Sequence, residues 1–312
     1  MKWLKWTAGG VSLLLGGALI VLLSLRKTPT PLRSTWAPAL ELLGEPAKSA
    51  GAAIGRILPI DDKDEKEYGD LLSAEYAMYT NSADGSSIYV NSLIAGISRL
   101  ASKPFRYRVA LIPDGIPNAF ALPGGLILVT RGLVETLETE AQLVSVLAHE
   151  MGHIECGHCI KLVRNEVLAR KLDIPEAGRF VDFLNNLFFR HSYSKTEEAE
   201  ADAFAYRIIL RTSYSPSSVA GAFDRLLLCE GSWTEHDPKD EEADILRDYI
   251  MSHPPLLLRK ARYEAEAKRW WARHPGQRRY CGHKNLSERV PMSARIWDEE
   301  WVTSAQPRSQ LR

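Results

Sequence analysis

The sequence predicts an α+β fold: a mostly helical body with a small antiparallel sheet, preceded by one membrane-spanning helix. Three observations predict it. Apolar residues recur at helical spacing through most of the chain after residue 67. Two short β-type runs, Phe105 to Ile112 and Leu126 to Thr130, interrupt the helical stretches. Thr7 to Leu25 is a 19-residue run without a charge, and no other run qualifies as a membrane span.

That run comes first in order. Lys2 and Lys5 precede it, and Arg26 and Lys27 follow. At about 1.5 Å per residue a helix there spans roughly 28 Å, enough for a bilayer core. Trp3 and Trp6 suit the interfacial belt. A cleaved signal peptide is the competing reading, but Ser24-Leu25-Arg26-Lys27 offers no small-residue cleavage site. Positive residues flank both ends, so charge leaves the orientation open.

Residues 28–66 read as a linker rich in proline, ending in the charge run Asp61 to Glu67. Its middle, 37–57, has room for a short amphipathic helix. A compact domain follows over 67–274. Residues 68–80 read as helical, as does Ile88 to Leu100, with Val90, Leu93, Ile94, Ile97 and Leu100 in register. Phe105 to Ile112 alternates Arg106 and Arg108 against Tyr107 and Val109, and Asp114-Gly115 turns it. Thr139 to Ile160 reads as one long helix, opened by a Thr139/Gln142 capping box. Helices are expected at Glu176 to Arg190, at Lys195 to Arg211 after a Ser194 cap, at Pro216 to Glu230, and at Ile245 to Arg273 with a break at His253-Pro254-Pro255. Residues 275–312 form a polar tail without clear periodicity.

Composition is that of an ordinary globular protein, 45% hydrophobic and 25% charged. Lys+Arg and Asp+Glu both number 39, so there is no basic excess to hold nucleic acid.

The chemistry concentrates in His149-Glu-Met-Gly-His153. Two histidines four apart share one helix face and can bind one zinc ion. Glu150 beside them can act on a water at that ion. Glu198, in Glu198-Ala-Glu-Ala-Asp202, can supply a carboxylate from a second helix. Two His and one Glu leave a fourth position open, as catalytic zinc requires. The histidines sit in a largely apolar helix, where imidazoles without partners are costly to bury. Cys156 and Cys159 form a C-x-x-C, but it lies after the motif and not at a helix N-terminus, so packing is favoured over redox chemistry. His158 would be turned about 140° from His153 on a continuous helix and is a poor ligand for the same metal.

Four ordered blocks match one family: Asn118 to Leu133, His149 to His153, Glu198 to Asp202, and Ser252-His-Pro-Pro255 with Arg259. Over about 67–270 the chain resembles the membrane-associated zinc metallopeptidases that include type I CAAX prenyl proteases, HtpX heat-shock proteases and periplasmic β-barrel assembly-enhancing proteases. The resemblance implies a zincin-like metallopeptidase domain holding one Zn2+ per chain on His149, His153 and Glu198, with Glu150 as general base. It implies that Asp202 orients a ligand histidine, where a solvated helix face is the plain reading. It places His253 near the zinc, either capping it or stabilising an oxyanion; a structural histidine before Pro-Pro is the plain alternative. Arg259 would pair with a nearby acid or the substrate backbone. Asn118, Ala119, Phe120 and Ala121 would belong to an edge strand that pairs with an extended polypeptide, and otherwise to a core strand. The tail does not look like the helical repeats of the periplasmic branch. The implied function is zinc-dependent cleavage of unfolded, misassembled or membrane-proximal proteins. The catalytic domain would lie on the extracytoplasmic, periplasmic side of a single-pass membrane protein. The runner-up is a zinc-bearing chaperone or assembly factor that binds extended chains without cutting them.

Overall fold

In a computed structural model the chain is described at residues 60–80, 82–164, 167, 193–230, 253 and 256–305. The expected helices over 7–25, 37–57 and 176–190, and the beginning of the one over 245–273, lie outside these. Among the described residues no helix is long and apolar enough to cross a membrane.

Helix α1 (Asp62–Glu75) starts inside the charge run that reads as linker. Asp61 caps it: its side chain accepts from the Lys63 and Asp64 amides, and Asp64 reaches back to the Asp61 amide. Acidic residues in this first turn meet the positive end of the helix, so charge that suggests a linker stabilises a helix instead. Helices α2 (Ala77–Thr80) and α3 (Gly85–Ser98) follow.

Three strands then form one sheet: β1 (Arg108–Ile112), β2 (Ala119–Leu122) and β3 (Leu126–Thr130), in the order β1-β3-β2. The expected antiparallel sheet is in fact mixed. β2 and β3 form an antiparallel hairpin, with Ala119 opposite Val129, but β1 runs parallel to β3, with Arg108 opposite Leu126. The chain reverses after β1 and again after β2, so β1 and β3 point the same way, and β3 lies between the others. Gly124, at φ 76°, supplies the left-handed residue the hairpin turn needs. The sheet is buried on both faces. Val109, Leu111, Ile127 and Val129 enter the main core, whereas Ala110, Phe120, Leu126 and Leu128 pack with Tyr68, Leu72 and Val163. Two covered faces explain why β3 reads as an unbroken apolar run.

After α4 (Arg131–Thr136) comes the central helix α5 (Glu140–Glu155), whose residues from Glu140 to Ile154 are all buried. It stops five residues before the expected end at Ile160. Cys156 is the C-cap, and Gly157 turns left-handed at φ 76° before the short α6 (His158–Leu162). Helices α7 (Lys195–Arg211), α8 (Ser218–Glu230) and α9 (Leu256–Arg273) complete the body around α5.

Residues 275–305, read as an aperiodic polar tail, are ordered by tertiary contacts. They contain β4 (Arg279–Tyr280), α10 (His283–Glu288) and β5 (Trp301–Val302), with β4 and β5 antiparallel. The Cys281 and Gly282 carbonyls accept from the Ala141 and Glu140 amides, two donors that the first turn of α5 cannot satisfy itself.

Candidate metal centre

Two capped helices build the site. The Gln142 amide donates to Thr139 Oγ1 at 3.1 Å and the Thr139 amide to Gln142 Oε1 at 3.3 Å, fixing the start of α5. Ser194 and Glu197 close the same kind of box on α7. Where the helices cross, Gly152 permits close approach: a Cβ there would stand 2.9 Å from the Ala201 carbonyl oxygen and 3.0 Å from its Cα. The glycine inside the histidine motif thus lets Glu198 reach the imidazoles.

His149, His153, Glu198 and His253 each aim a donor atom into one buried cluster, within 4.8 Å of one another. His153 Nε2 lies 3.1 Å from His149 Nε2 and 3.3 Å from Glu198 Oε1. His253 Nδ1 lies 2.8 Å from Glu198 Oε1 and 3.4 Å from His149 Nε2. A tetrahedral ion with bonds of about 2.0–2.1 Å sets its ligands roughly 3.3 Å apart, so these spacings fit one.

The outer nitrogens favour the same reading. His149 Nδ1 lies 3.0 Å from Asp202 Oδ1, and His153 Nδ1 lies 3.0 Å from His158 Nδ1. With each Nδ1 bearing its hydrogen toward an outer partner, both Nε2 lone pairs face the cluster. Glu150 is fully buried, and neither of its carboxylate oxygens has a hydrogen-bond partner among the described residues. Burial pushes its carboxyl up, against the pull of His253 and His149. His253 Nε2 stands 3.8 Å from Oε1, beyond hydrogen-bond distance, so the carboxylate is left able to accept from a water at the cluster.

Arg259, from α9, ties the acids together. Its Nε and Nη2 donate to the two Asp202 oxygens at 2.8 and 2.6 Å, and its Nη1 reaches Glu198 Oε2 at 2.5 Å. Nη1 also donates to the His253 carbonyl at 2.7 Å. Burial alone would raise Asp202, but Arg259 and His149 outweigh it and hold its carboxyl below the usual range. At Glu198 the burial effect is outweighed by His253, His153 and His149, and its carboxyl is held well below that range. Burial drives His153 well below its usual value, while Glu198 and Glu150 overcome burial at His253 and raise it. Glu150, Glu198 and Asp202 can carry three negative charges against one guanidinium. A dication balances the set.

The structure therefore brings His149, Glu150, His153, Glu198, Asp202, His253 and Arg259 into one site. It places Asn118, Ala119, Phe120 and Ala121 on or next to β2, an edge of the sheet, where all four are buried. The Ala121 carbonyl accepts from the Cys159 thiol at 3.4 Å.

Two features escape sequence reasoning. Tyr193 stacks on His153, with ring centroids 3.8 Å apart. His158 faces His153 and holds Glu200 Oε2 at 2.9 Å through its Nε2. The angular argument against His158 assumes a continuous helix, and the left-handed Gly157 breaks it. His158 stays outside the four-donor cluster but backs one of its members. Gly157 was the only sequence signal of that turn.

Comparison with known proteins agrees with this geometry. The chain is 28% identical to the metalloprotease LoiP of Escherichia coli, over 64% of this chain and 86% of that protein. It is 26% identical to the metalloprotease YcaL of the same organism, over 66% and 87%. It is 25% identical to the E. coli β-barrel assembly-enhancing protease, over 45% and 32%. The family model for Peptidase family M48 matches residues 88–267, more than half of the 312 residues. A metal-ready cluster of histidines and glutamate within that matched span, continued by relatives that are metalloproteases, makes this chain a metalloendopeptidase belonging to peptidase family M48.

Proposed function

We propose that this enzyme is a zinc-dependent endopeptidase of protein quality control, cutting extended segments of unfolded, misassembled or membrane-proximal proteins. One observation carries the zinc and the mechanism: the Nε2 atoms of His149 and His153 and the Glu198 carboxylate converge beside a buried Glu150 that has no hydrogen-bond partner among the described residues. His149, His153 and Glu198 would hold the ion, and a zinc there would supply Lewis acidity, by which a water becomes acidic enough to lose a proton near neutral pH. Glu150 takes that proton and delivers it to the leaving amine; its raised carboxyl suits both halves of the transfer. Asp202 holds His149 in the tautomer that binds, and Arg259 keeps Asp202 and Glu198 charged.

His253 caps the site at rest and leaves when substrate arrives. Support comes from its Nδ1, which sits among the donors and 2.8 Å from Glu198. The extended substrate pairs with the edge strand around Asn118 to Ala121. The side chains of these four residues are buried, so the pairing would be through the backbone of the edge. Residues 7–25 anchor the enzyme, with its catalytic domain on the extracytoplasmic side; the uncharged run with basic flanks supports the anchor.

The deciding experiment uses full-length Glu150→Gln as a trap. The variant should keep one zinc per chain, lose cleavage of casein-like unfolded substrates, and accumulate uncut polypeptides identifiable by mass spectrometry. Cleavage by the variant at near wild-type rate refutes the mechanism.

A further inference from the structure

Outside the four-donor cluster, the described residues hold one other grouping of metal-ligating side chains. Cys156, at the exposed end of α5, His158, just past the Gly157 turn, and Glu200, on α7, present their donor atoms within 4.8 Å of one another. His158 is buried, with its Nε2 directed to Glu200 at 2.9 Å. Cys159, the other half of the C-x-x-C, takes no part: it is buried against the Ala121 carbonyl and Tyr193.

We propose that Cys156, His158 and Glu200 form a second, outer cation site for a thiophilic divalent ion such as zinc or cadmium, and that its occupation loosens the catalytic ion. The donor set is one thiolate, one imidazole and one carboxylate. Thiolate and imidazole together select soft and borderline ions over magnesium or calcium. Three ligands on a solvent-facing edge leave room for water as a fourth. Burial and the neighbouring Glu200 carboxylate push the Cys156 thiol up, so it keeps its proton until an ion displaces it.

The coupling follows from counting hydrogens on two rings. A His153 that binds the catalytic ion through Nε2 carries its hydrogen on Nδ1. That hydrogen points at His158 Nδ1, 3.0 Å away, which must then accept. His158 then carries its own hydrogen on Nε2 and donates it to Glu200. An outer ion needs that Nε2 lone pair. The displaced hydrogen must either leave as a proton or move to Nδ1, where it would meet the hydrogen of His153. Each ion thus opposes the other, and the penalty is reciprocal. Loss of the outer hydrogen bond to a ligand histidine typically weakens metal binding about 10–100-fold.

The coupling rests on the proposed catalytic site; the outer site does not. The test titrates the full-length zinc-loaded protein with cadmium. The catalytic donors include no sulfur, so thiolate-to-cadmium absorption reports a cysteine site, and its loss in Cys156→Ser assigns it to the outer one. We expect one equivalent of cadmium to bind beside the zinc with that absorption; Cys156→Ser should abolish the absorption and weaken the binding at least tenfold, and Glu200→Gln should weaken it severalfold. Zinc release to a chelator should be about tenfold faster or more with cadmium bound, and cadmium should lose this effect in Cys156→Ser. Absence of the band, or its persistence in Cys156→Ser, overturns the outer site and leaves the peptidase reading intact. A band without faster zinc release overturns the coupling. Failure of Glu150→Gln to abolish cleavage would overturn the catalytic reading and leave the thiolate band unchanged.

Discussion

Helix α5 carries two fully buried glutamates, and they are opposites. Glu140, at its start, is saturated: Tyr214 and Tyr89 donate hydroxyl hydrogens at 2.5 and 2.9 Å, and the Met292 amide donates at 2.9 Å. Glu150, ten residues on, has no hydrogen-bond partner among the described residues. Burial raises both carboxyls above their ordinary value. One helix thus holds a carboxylate that fastens the fold and another that the fold keeps available. Satisfied polar groups stabilise a structure, whereas a buried group without a hydrogen bond is a cost to it.

The sharpest way to break the comparison is to neutralise each acid. Glu150→Gln should lower kcat by about a thousandfold or more while leaving the melting temperature unchanged or higher, because the burial cost of this carboxylate outweighs the pull of His253, 3.8 Å away. Glu140→Ala should do the reverse. It strands two tyrosine hydroxyls and an amide, and should cost about 3–5 kcal/mol in denaturant unfolding with no direct effect on the metal ligands. Equal effects of the two substitutions on stability would erase the distinction.

Smaller effects sharpen it. Asp202→Asn should weaken zinc about 10–100-fold in chelator competition, since the amide cannot hold His149 in the binding tautomer as the carboxylate does. His253→Ala should raise cleavage of a short peptide severalfold if the imidazole caps the ion; steady-state kinetics would instead show a fall of roughly a hundredfold for an oxyanion role. The smallest effect is in pH. Glu140 has a folded-state value above its ordinary 4.5, so the folded chain binds its proton more tightly than the unfolded chain. Its contribution to stability is greatest below 4.5 and declines as pH rises through the folded value. Glu140→Gln should flatten that decline in unfolding curves taken across the window.

The comparison also shows what a sequence discloses. The start of α5, the spacing of His149 and His153, and the register of Glu198 and Asp202 on a Ser194-capped helix are set within one or two turns. Local pattern suffices for them. His253 and Arg259 come from a distant helix region and are visible only through family resemblance. The saturation of Glu140 was invisible, because its partners come from residues 89, 214 and 292. The parallel pairing of β1 with β3 was hidden for the same reason: nothing local says which edge of a hairpin a third strand will join. The charge run at 61–67 misled because capping and loop composition use the same residues.

The contacts between the C-terminal segment and α5 also impose an order in time. The Glu140 carboxylate waits for the Met292 amide, and the first two amides of α5 wait for the Gly282 and Cys281 carbonyls. A ribosome adds about 5–20 residues per second, so the interval between residues 153 and 292 lasts several seconds or more. During that interval the histidine motif exists without the far clamp on its helix. Synthesis must pass residue 292 before that clamp can close, which defers completion of a destructive enzyme until nearly all of this sequence has been made.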